Sequence, residues 1–109
     1  MALTVIASGT QSATLDTEHA LDNDTAGKTY VLAVDTGAMV DGDIVIFRIK
    51  TKVLSGGTLR LAYSATYAHA QGEPIKYSVP VPANIEIECS LEQTDGTGRS
   101  YPWSLLSID

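Results

Sequence analysis

The sequence predicts an all-β protein, an antiparallel β-sandwich or barrel of about eight strands in a single domain, residues 1–109. Three observations support this prediction. Apolar and polar residues alternate with a period of two in several segments, which is the spacing of a strand with one buried face. Clusters of Gly, Pro, Asp and Ser separate those segments, and no long amphipathic helical pattern lies among them. A chain of 109 residues is also the usual size of one domain.

The first third of the chain carries the weaker strand signals. Residues 3–7 and 11–15 predict two short strands, and residues 30–35 form a nearly continuous apolar run that predicts a core strand. Residues 16–28 are polar, with acidic side chains at 16, 18, 22 and 24. We interpret that span as a loop with room for a helical turn.

The strongest alternation covers residues 44–54, where Val45, Phe47 and Ile49 share one face. Turn-forming clusters bound this strand on both sides, so we expect the next strand to return antiparallel. Residues 58–67 are the candidate for that return. The spacing of Tyr63 and Tyr67 also suits a helix, and the sequence leaves both interpretations open.

Three further strands are predicted in the last third of the chain. Residues 75–81 alternate, but Pro80 and Pro82 confine this strand to a sheet edge because proline cannot donate to a ladder. Residues 84–92 have the cleanest alternation of the chain, with Cys89 on the apolar face. Residues 101–108 form the last strand, which we expect to return beside the preceding one.

Charge and cysteine content exclude several classes of function. The chain has 7 basic and 13 acidic residues and a formal net charge of −6, the wrong sign for binding nucleic acid or an anionic membrane. We therefore expect no nucleic-acid and no membrane partner. A single cysteine excludes an intramolecular disulfide and a thiolate metal cluster. The sequence also lacks a secretory signal pattern, so we expect a protein that is not exported by the general secretory route.

One segment suggests an enzyme. Residues 34–38, Val-Asp-Thr-Gly-Ala, resemble the active-site loop of the retroviral-type aspartic proteases, in which the Asp supplies half of a carboxylate dyad. The large apolar pair followed by Gly that this family needs is missing after Asp35. The other interpretation is a strand end that runs into a turn, with the Asp35 side chain bonded to the turn backbone.

No other motif predicts chemistry. His19 and His69 have no metal-ligand spacing, and the EF-hand-like start at Asp22 lacks the later ligand positions. We therefore predict no catalytic residue, no cofactor and no metal site, and we do not expect an enzyme.

Charged side chains of opposite sign are segregated on two of the predicted strands. The outward face of residues 44–54 carries bases, and that of residues 84–92 carries acids. The residues concerned are Arg48, Lys50 and Lys52, and Glu86, Glu88 and Glu92. If the two strands are neighbours, these residues form cross-strand pairs within one chain. If they are not, the same complementarity sets the register between subunits.

Two isoleucines share the outward face of the same basic strand. Ile44 and Ile46 lie opposite the predicted core face, so either a second layer covers this strand or these side chains meet another subunit. Together with the six charged residues above, they are the candidate subunit-interface residues.

From residue 30 onward, the order of short motifs resembles that of a known group of proteins. The motifs are Val34-Asp35-Thr36, Met39-Val40-Asp41-Gly42-Asp43, residues 48–57 (RIKTKVLSGG), residues 65–71 (ATYAHAQ), Pro74-Ile75-Lys76, residues 79–82 (VPVP), residues 91–99 (LEQTDGTGR) and Trp103. This order resembles small virion proteins of tailed bacteriophages that are encoded among the head genes.

The resemblance implies a structural role on the phage particle. We expect a capsid decoration protein that is made in the host cytoplasm, binds the major capsid protein on the exterior of the virion and forms a homo-oligomer, with a trimer favoured. Three alternatives stay open: a head–tail connector or tail component, the aspartic protease, and a carbohydrate- or receptor-binding module.

Overall fold

The computed structural model describes residues 2–109, which fold into nine strands and no helix. The strands are β1 (Leu3–Ser12), β2 (His19–Asp24), β3 (Lys28–Asp35), β4 (Ile44–Thr51), β5 (Arg60–Ala68), β6 (Ile75–Tyr77), β7 (Val81–Ala83), β8 (Ile87–Asp95) and β9 (Ser100–Ile108). This architecture confirms the predicted all-β class.

The strands form two antiparallel sheets that pack face to face as a β-sandwich. Sheet I has the order β1-β9-β3-β6, and β7 also pairs with β3. Sheet II has the order β2-β8-β4-β5. Most strands that follow one another in the sequence lie in opposite sheets. Among the described residues, β4 and β5 are the only consecutive strands that pair directly, as the turn after residue 54 predicted.

The core lies between the sheets and is built from alternate residues of the central strands. Each of these strands contributes side chains that are at most a few per cent exposed. They are Tyr30, Leu32 and Val34 of β3, Val45, Phe47 and Ile49 of β4, Ile87, Cys89 and Leu91 of β8, and Tyr101 and Leu105 of β9. The period-two pattern therefore predicted the inward faces of β4 and β8 correctly.

The prediction was wrong in the first third of the chain. The two short strands at residues 3–7 and 11–15 are one strand, β1, whose register shifts between Val5 and Ala7. That bulge interrupts the alternation. The span interpreted as a loop, residues 16–28, contains β2. This strand pairs only with β8 and is an edge strand, so it tolerates acids that a central strand would not.

The strand interpretation of residues 58–67 is confirmed, since β5 covers Arg60–Ala68. Three other boundaries or pairings differ from the prediction. The basic strand ends at Thr51 and not at residue 54, so residues 52–59 form the β4–β5 loop. The predicted strand at residues 75–81 is divided into β6 and β7, both beside β3. The last strand, β9, does not return beside β8 but crosses to sheet I, between β1 and β3.

Candidate docking surfaces

The outer face of sheet II is charged. Its central strands β4 and β8 are hydrogen-bonded neighbours, with Ile46 opposite Glu92 and Lys50 opposite Glu88. Arg48 lies 2.8 Å from Glu92, and Lys52 lies 2.9 Å from Glu86. The segregated charges of the sequence are therefore cross-strand pairs within one chain. That these residues also form a subunit interface stays a prediction.

A further acid completes this charged network. Glu18, in the β1–β2 loop, lies 3.5 Å from both Arg48 and Lys50. The hydrogen bond from Ser90 Oγ (2.5 Å), together with the charges of Lys50 and Arg48, holds the pKa of Glu18 below its ordinary value although burial opposes this. A similar pair of bonds, from Asn23 and then from Lys52, lowers the pKa of Glu86. The face is thus largely neutralised within the chain.

Ile44 and Ile46 lie at one end of this charged face. Ile44 is opposite Ala68 and Asp95, and Ile46 is opposite Thr66 and Glu92. Both side chains are half-buried by these flanking strands and not by a second layer. They remain candidate interface residues.

The outer face of sheet I is apolar. Because Tyr30, Leu32 and Val34 point into the core, the alternate residues of β3 and of its neighbours point away from it. We call this surface the apolar face. Its large apolar members are Leu3 and Val5 of β1, Val31 of β3, Ile75 and Tyr77 of β6, and Leu106 and Ile108 of β9.

The apolar face is continuous across the strands and poor in charge. Val5, Leu106 and Val31 are in register across β1, β9 and β3. Val5 is 59% exposed, and Tyr77 is 63% exposed. Asp35, at one end, is the only charged residue among the described residues of this face. The sequence did not reveal this surface, because the apolar run at residues 30–35 indicated a core strand without showing what covers its second side.

A hollow lies at the Asp35 end of the apolar face. It has a volume of about 240 Å³ and is lined mainly by Ala33, Asp35, Ile75, Pro102 and Trp103. The Asp35 Oδ1 atom accepts a hydrogen bond of 2.8 Å from the backbone N–H of Gly37. This is the side-chain bond that the turn interpretation of the Asp-Thr-Gly segment predicts.

The most exposed apolar side chains lie elsewhere, on the β4–β5 loop. Val53 is 91% exposed and Leu54 is 72% exposed. The loop is closed by a 2.8 Å hydrogen bond from the N–H of Gly57 to the carbonyl oxygen of Leu54. Both residues fall within the strand predicted at residues 44–54, and this part of the prediction was wrong because β4 ends at Thr51.

Buried polar groups hold the turn between β8 and β9. The Asp43 carboxylate is 1% exposed and lies 2.8 Å from Arg99 Nε. Gly96 has a φ of 86°, and a Cβ at this position would overlap Asp43 Oδ1. Gln93 is fully buried and bonds the hydroxyl of Tyr101 at 2.9 Å. All buried side-chain polar atoms of residues 2–109 have a partner, so this cluster supports the fold.

The two histidines and the cysteine are also accounted for structurally. His19 Nε2 and His69 Nδ1 each accept a 3.0 Å hydrogen bond from a backbone N–H, of Thr14 and Gly42 respectively. Cys89 is fully buried, and burial raises the pKa of its thiol to about 12.

Comparison of the chain with protein-family models, with curated proteins and with solved structures finds no match. The part of the chain that the structure describes contains no helix long and apolar enough to cross a membrane. In that part there is also no group of three or more His, Cys, Asp or Glu side chains arranged to hold a metal ion.

Proposed function

We propose that this chain is a structural virion protein of a tailed bacteriophage, a decoration protein that binds the major capsid protein on the exterior of the particle. The observation that carries the proposal is the uncovered apolar face of sheet I. The assignment to a phage particle is supported by the order of motifs from residue 30 onward, which resembles small phage virion proteins.

The apolar face has the properties of a protein-binding surface. Four of its large apolar side chains, those of Leu3, Val5, Ile75 and Tyr77, are 50–65% exposed, and contiguous exposed apolar surface marks interaction sites. Uncharged polar residues such as Thr29 and Ser104 lie among the apolar ones and supply hydrogen-bonding groups. A flat sheet face of this composition suits another protein surface better than a small ligand, which binds in concave sites.

The difference between the two outer faces supports one orientation of the molecule on the particle. The basic side chains Arg48, Lys50 and Lys52 are paired with acids of the same chain at 2.8–3.5 Å, so this part of the sheet II face is stable in water without a partner. The apolar face of sheet I gains free energy when it is covered. We therefore place sheet I towards the capsid or a neighbouring subunit, and sheet II towards solvent.

A trimer suits this role. Capsid lattices have local three-fold and six-fold positions, and a symmetric oligomer binds such a position through several copies at once. Each contact after the first forms at a high effective concentration, so modest individual contacts add up to tight binding.

The test is binding to particles assembled from the major capsid protein encoded in the same genome. Val5→Glu places a charge on the apolar face, and Leu61→Glu is the matched control. Leu61 is 55% exposed on the edge strand β5 of sheet II, as Val5 is on the edge strand β1 of sheet I. We expect the original protein and Leu61→Glu to co-sediment with particles, and Val5→Glu to bind at least tenfold more weakly.

Two results would overturn the proposal. One is that the unsubstituted protein does not co-sediment with particles, and the other is that the two variants bind equally well. Electron microscopy of the decorated particle separates the alternative role, because a connector or tail component would give density at the neck or tail and not over the lattice.

A further inference from the structure

The β4–β5 loop presents an apolar tip beside an unpaired cation. Val53 and Leu54 are the most exposed large apolar side chains of the described chain. Arg60, the first residue of β5, lines the same surface depression as these two residues. In the described chain Arg60 makes no ion pair, whereas Lys52 on the same loop is held by Glu86 at 2.9 Å. The tip therefore offers two aliphatic side chains and one positive charge.

The hollow at the end of the apolar face has the complementary chemistry. Ala33, Ile75 and Pro102 give it apolar walls, and Asp35 places a carboxylate at its edge. That carboxylate forms one hydrogen bond, to Gly37, and no ion pair within residues 2–109. The volume of about 240 Å³ is below the roughly 300–1,000 Å³ of small-molecule pockets. It is suited to one or two aliphatic side chains.

The tip and the hollow cannot meet within one chain. Asp35 lies at the end of the strands where β4 begins, since β3 leads through residues 36–43 to Ile44. The tip follows the other end of β4. Eight residues of strand separate the two ends by about 25 Å. A contact between them must therefore join two copies of the chain.

We propose that the β4–β5 loop of one copy inserts Val53 and Leu54 into the hollow of a second copy, where Arg60 pairs with Asp35. Apolar side chains then meet apolar walls, and the unpaired cation meets the unpaired carboxylate. The contact joins two different surfaces, so it is heterologous: repeating it gives a closed ring when the rotation between copies closes and an open filament when it does not. Closure at three copies rests on the proposed function, in which a trimer suits a three-fold position of the lattice.

Cysteine cross-linking tests the contact directly. Leu54→Cys is mixed with Ile75→Cys under copper-phenanthroline oxidation, and we expect a disulfide-linked dimer from the mixture but not from either variant alone. The double variant Leu54→Cys, Ile75→Cys should give a covalent trimer, three times the 11.5 kDa of the chain. The native Cys89 does not interfere, because it is fully buried.

Val5→Cys replaces Ile75→Cys in the matched control, because Val5 is at least as exposed on the same face (59% against 50%) but lies away from the hollow. Val5→Cys should not cross-link with Leu54→Cys. The proposal is overturned if Val5→Cys cross-links as well as Ile75→Cys does, if Leu54→Cys links to itself, or if no product forms at micromolar protein.

Sedimentation velocity tests the charge pair without introduced cysteines. Asp35→Asn keeps the acceptor for Gly37 but removes the charge, and we expect it to raise the dissociation constant of self-association about three- to tenfold. Leu54→Asp should raise it about tenfold or more, because an aliphatic side chain is no longer buried. Unchanged association in both variants would contradict the proposal. No particles are present in these experiments, so their failure is distinguishable from a failure of capsid binding.

Discussion

Gln93 shows how a single buried side chain holds two strands together. Its Nε2 atom donates to the carbonyl oxygens of Asp95 and Thr97, at 3.0 and 2.7 Å. Its Oε1 atom accepts from the backbone N–H of Arg99 at 3.1 Å and from the hydroxyl of Tyr101 at 2.9 Å. The amide thus joins the end of β8 to the start of β9, across the turn where the chain changes sheets.

We predict that Gln93→Met destabilises the fold by about 3 kcal/mol, because the substitution keeps the volume but leaves several buried partners without a hydrogen bond. Urea unfolding followed by Trp103 fluorescence measures the loss. Gln11→Met is the control, since Gln11 is half-buried and bonds only the carbonyl oxygen of Ser12. Equal destabilisation by both variants would show that the Gln93 network contributes little.

Asp43 makes stability depend on pH. Burial alone would raise the pKa of Asp43, but hydrogen bonds from Arg99, Val40 N–H and Thr97 N–H outweigh it and hold the pKa below its ordinary value. In the folded state the Asp43 carboxyl therefore stays ionised at a pH at which the same group already binds a proton in the unfolded chain. Its contribution to stability is fully present above pH of about 4 and is lost as the pH falls through the lower, folded-state pKa.

We predict that the free energy of unfolding falls more steeply below pH 4 in the original protein than in Asp43→Asn, which lacks the titrating group. Urea unfolding between pH 2.5 and pH 7 measures the two slopes. Asp95→Asn, an exposed carboxylate at the same end of the sandwich, is the charge-matched control. An Asp43→Asn slope equal to that of the original protein would contradict this assignment.

At the scale of strands, the β4–β8 pair joins opposite charges in water-accessible positions. The side chains of Arg48 and Glu92 are 23% and 19% exposed. We predict that Arg48→Ala costs about 1 kcal/mol or less, because partly exposed pairs contribute little and salt screens them. Urea unfolding at 0.05 and 1 M NaCl measures this, and the difference between the two proteins should shrink at high salt. A salt-independent loss would instead assign the effect to packing of the arginine stem.

Strands with one buried face could be predicted from the sequence, but an edge strand and the pairing of strands could not. The alternation around Phe47 and Cys89 identified both inward faces correctly, because burial on one side imposes a period of two. The edge strand β2 was missed because Asp22 and Asp24 are tolerated where one neighbour is absent. The neighbours of β9 were predicted wrongly as well, since alternation carries no information about which strands lie side by side.

The candidate surfaces were predictable only in part. The opposite charges of β4 and β8 were identified from their spacing, but a further acid, Glu18, lies in a loop that no periodicity indicates. The apolar face was missed because Val31 and Leu106 are residue types that are also typical of a core. Only Ile44 and Ile46 raised the question of what covers an outer face, and they lie on the opposite sheet.

At the scale of the whole molecule, covering the apolar face should stabilise whatever it binds. A ligand that binds only the intact lattice shifts its disassembly by mass action, about 2.7 kcal/mol at a hundredfold excess over the dissociation constant. We therefore predict that saturating protein raises the temperature at which particles assembled from the major capsid protein disassemble, measured by light scattering. Val5→Glu at the same concentration should leave this temperature unchanged. An equal rise with both proteins would show that the stabilisation of the particles does not depend on the apolar face.

The position of β9 between β1 and β3 has a consequence for synthesis on the ribosome. Neither of those strands acquires its central neighbour until residues 100–108 have left the exit tunnel. The apolar face is therefore a property of the completed sheet, because Val5 and Val31 are brought into line only through Leu106 of β9.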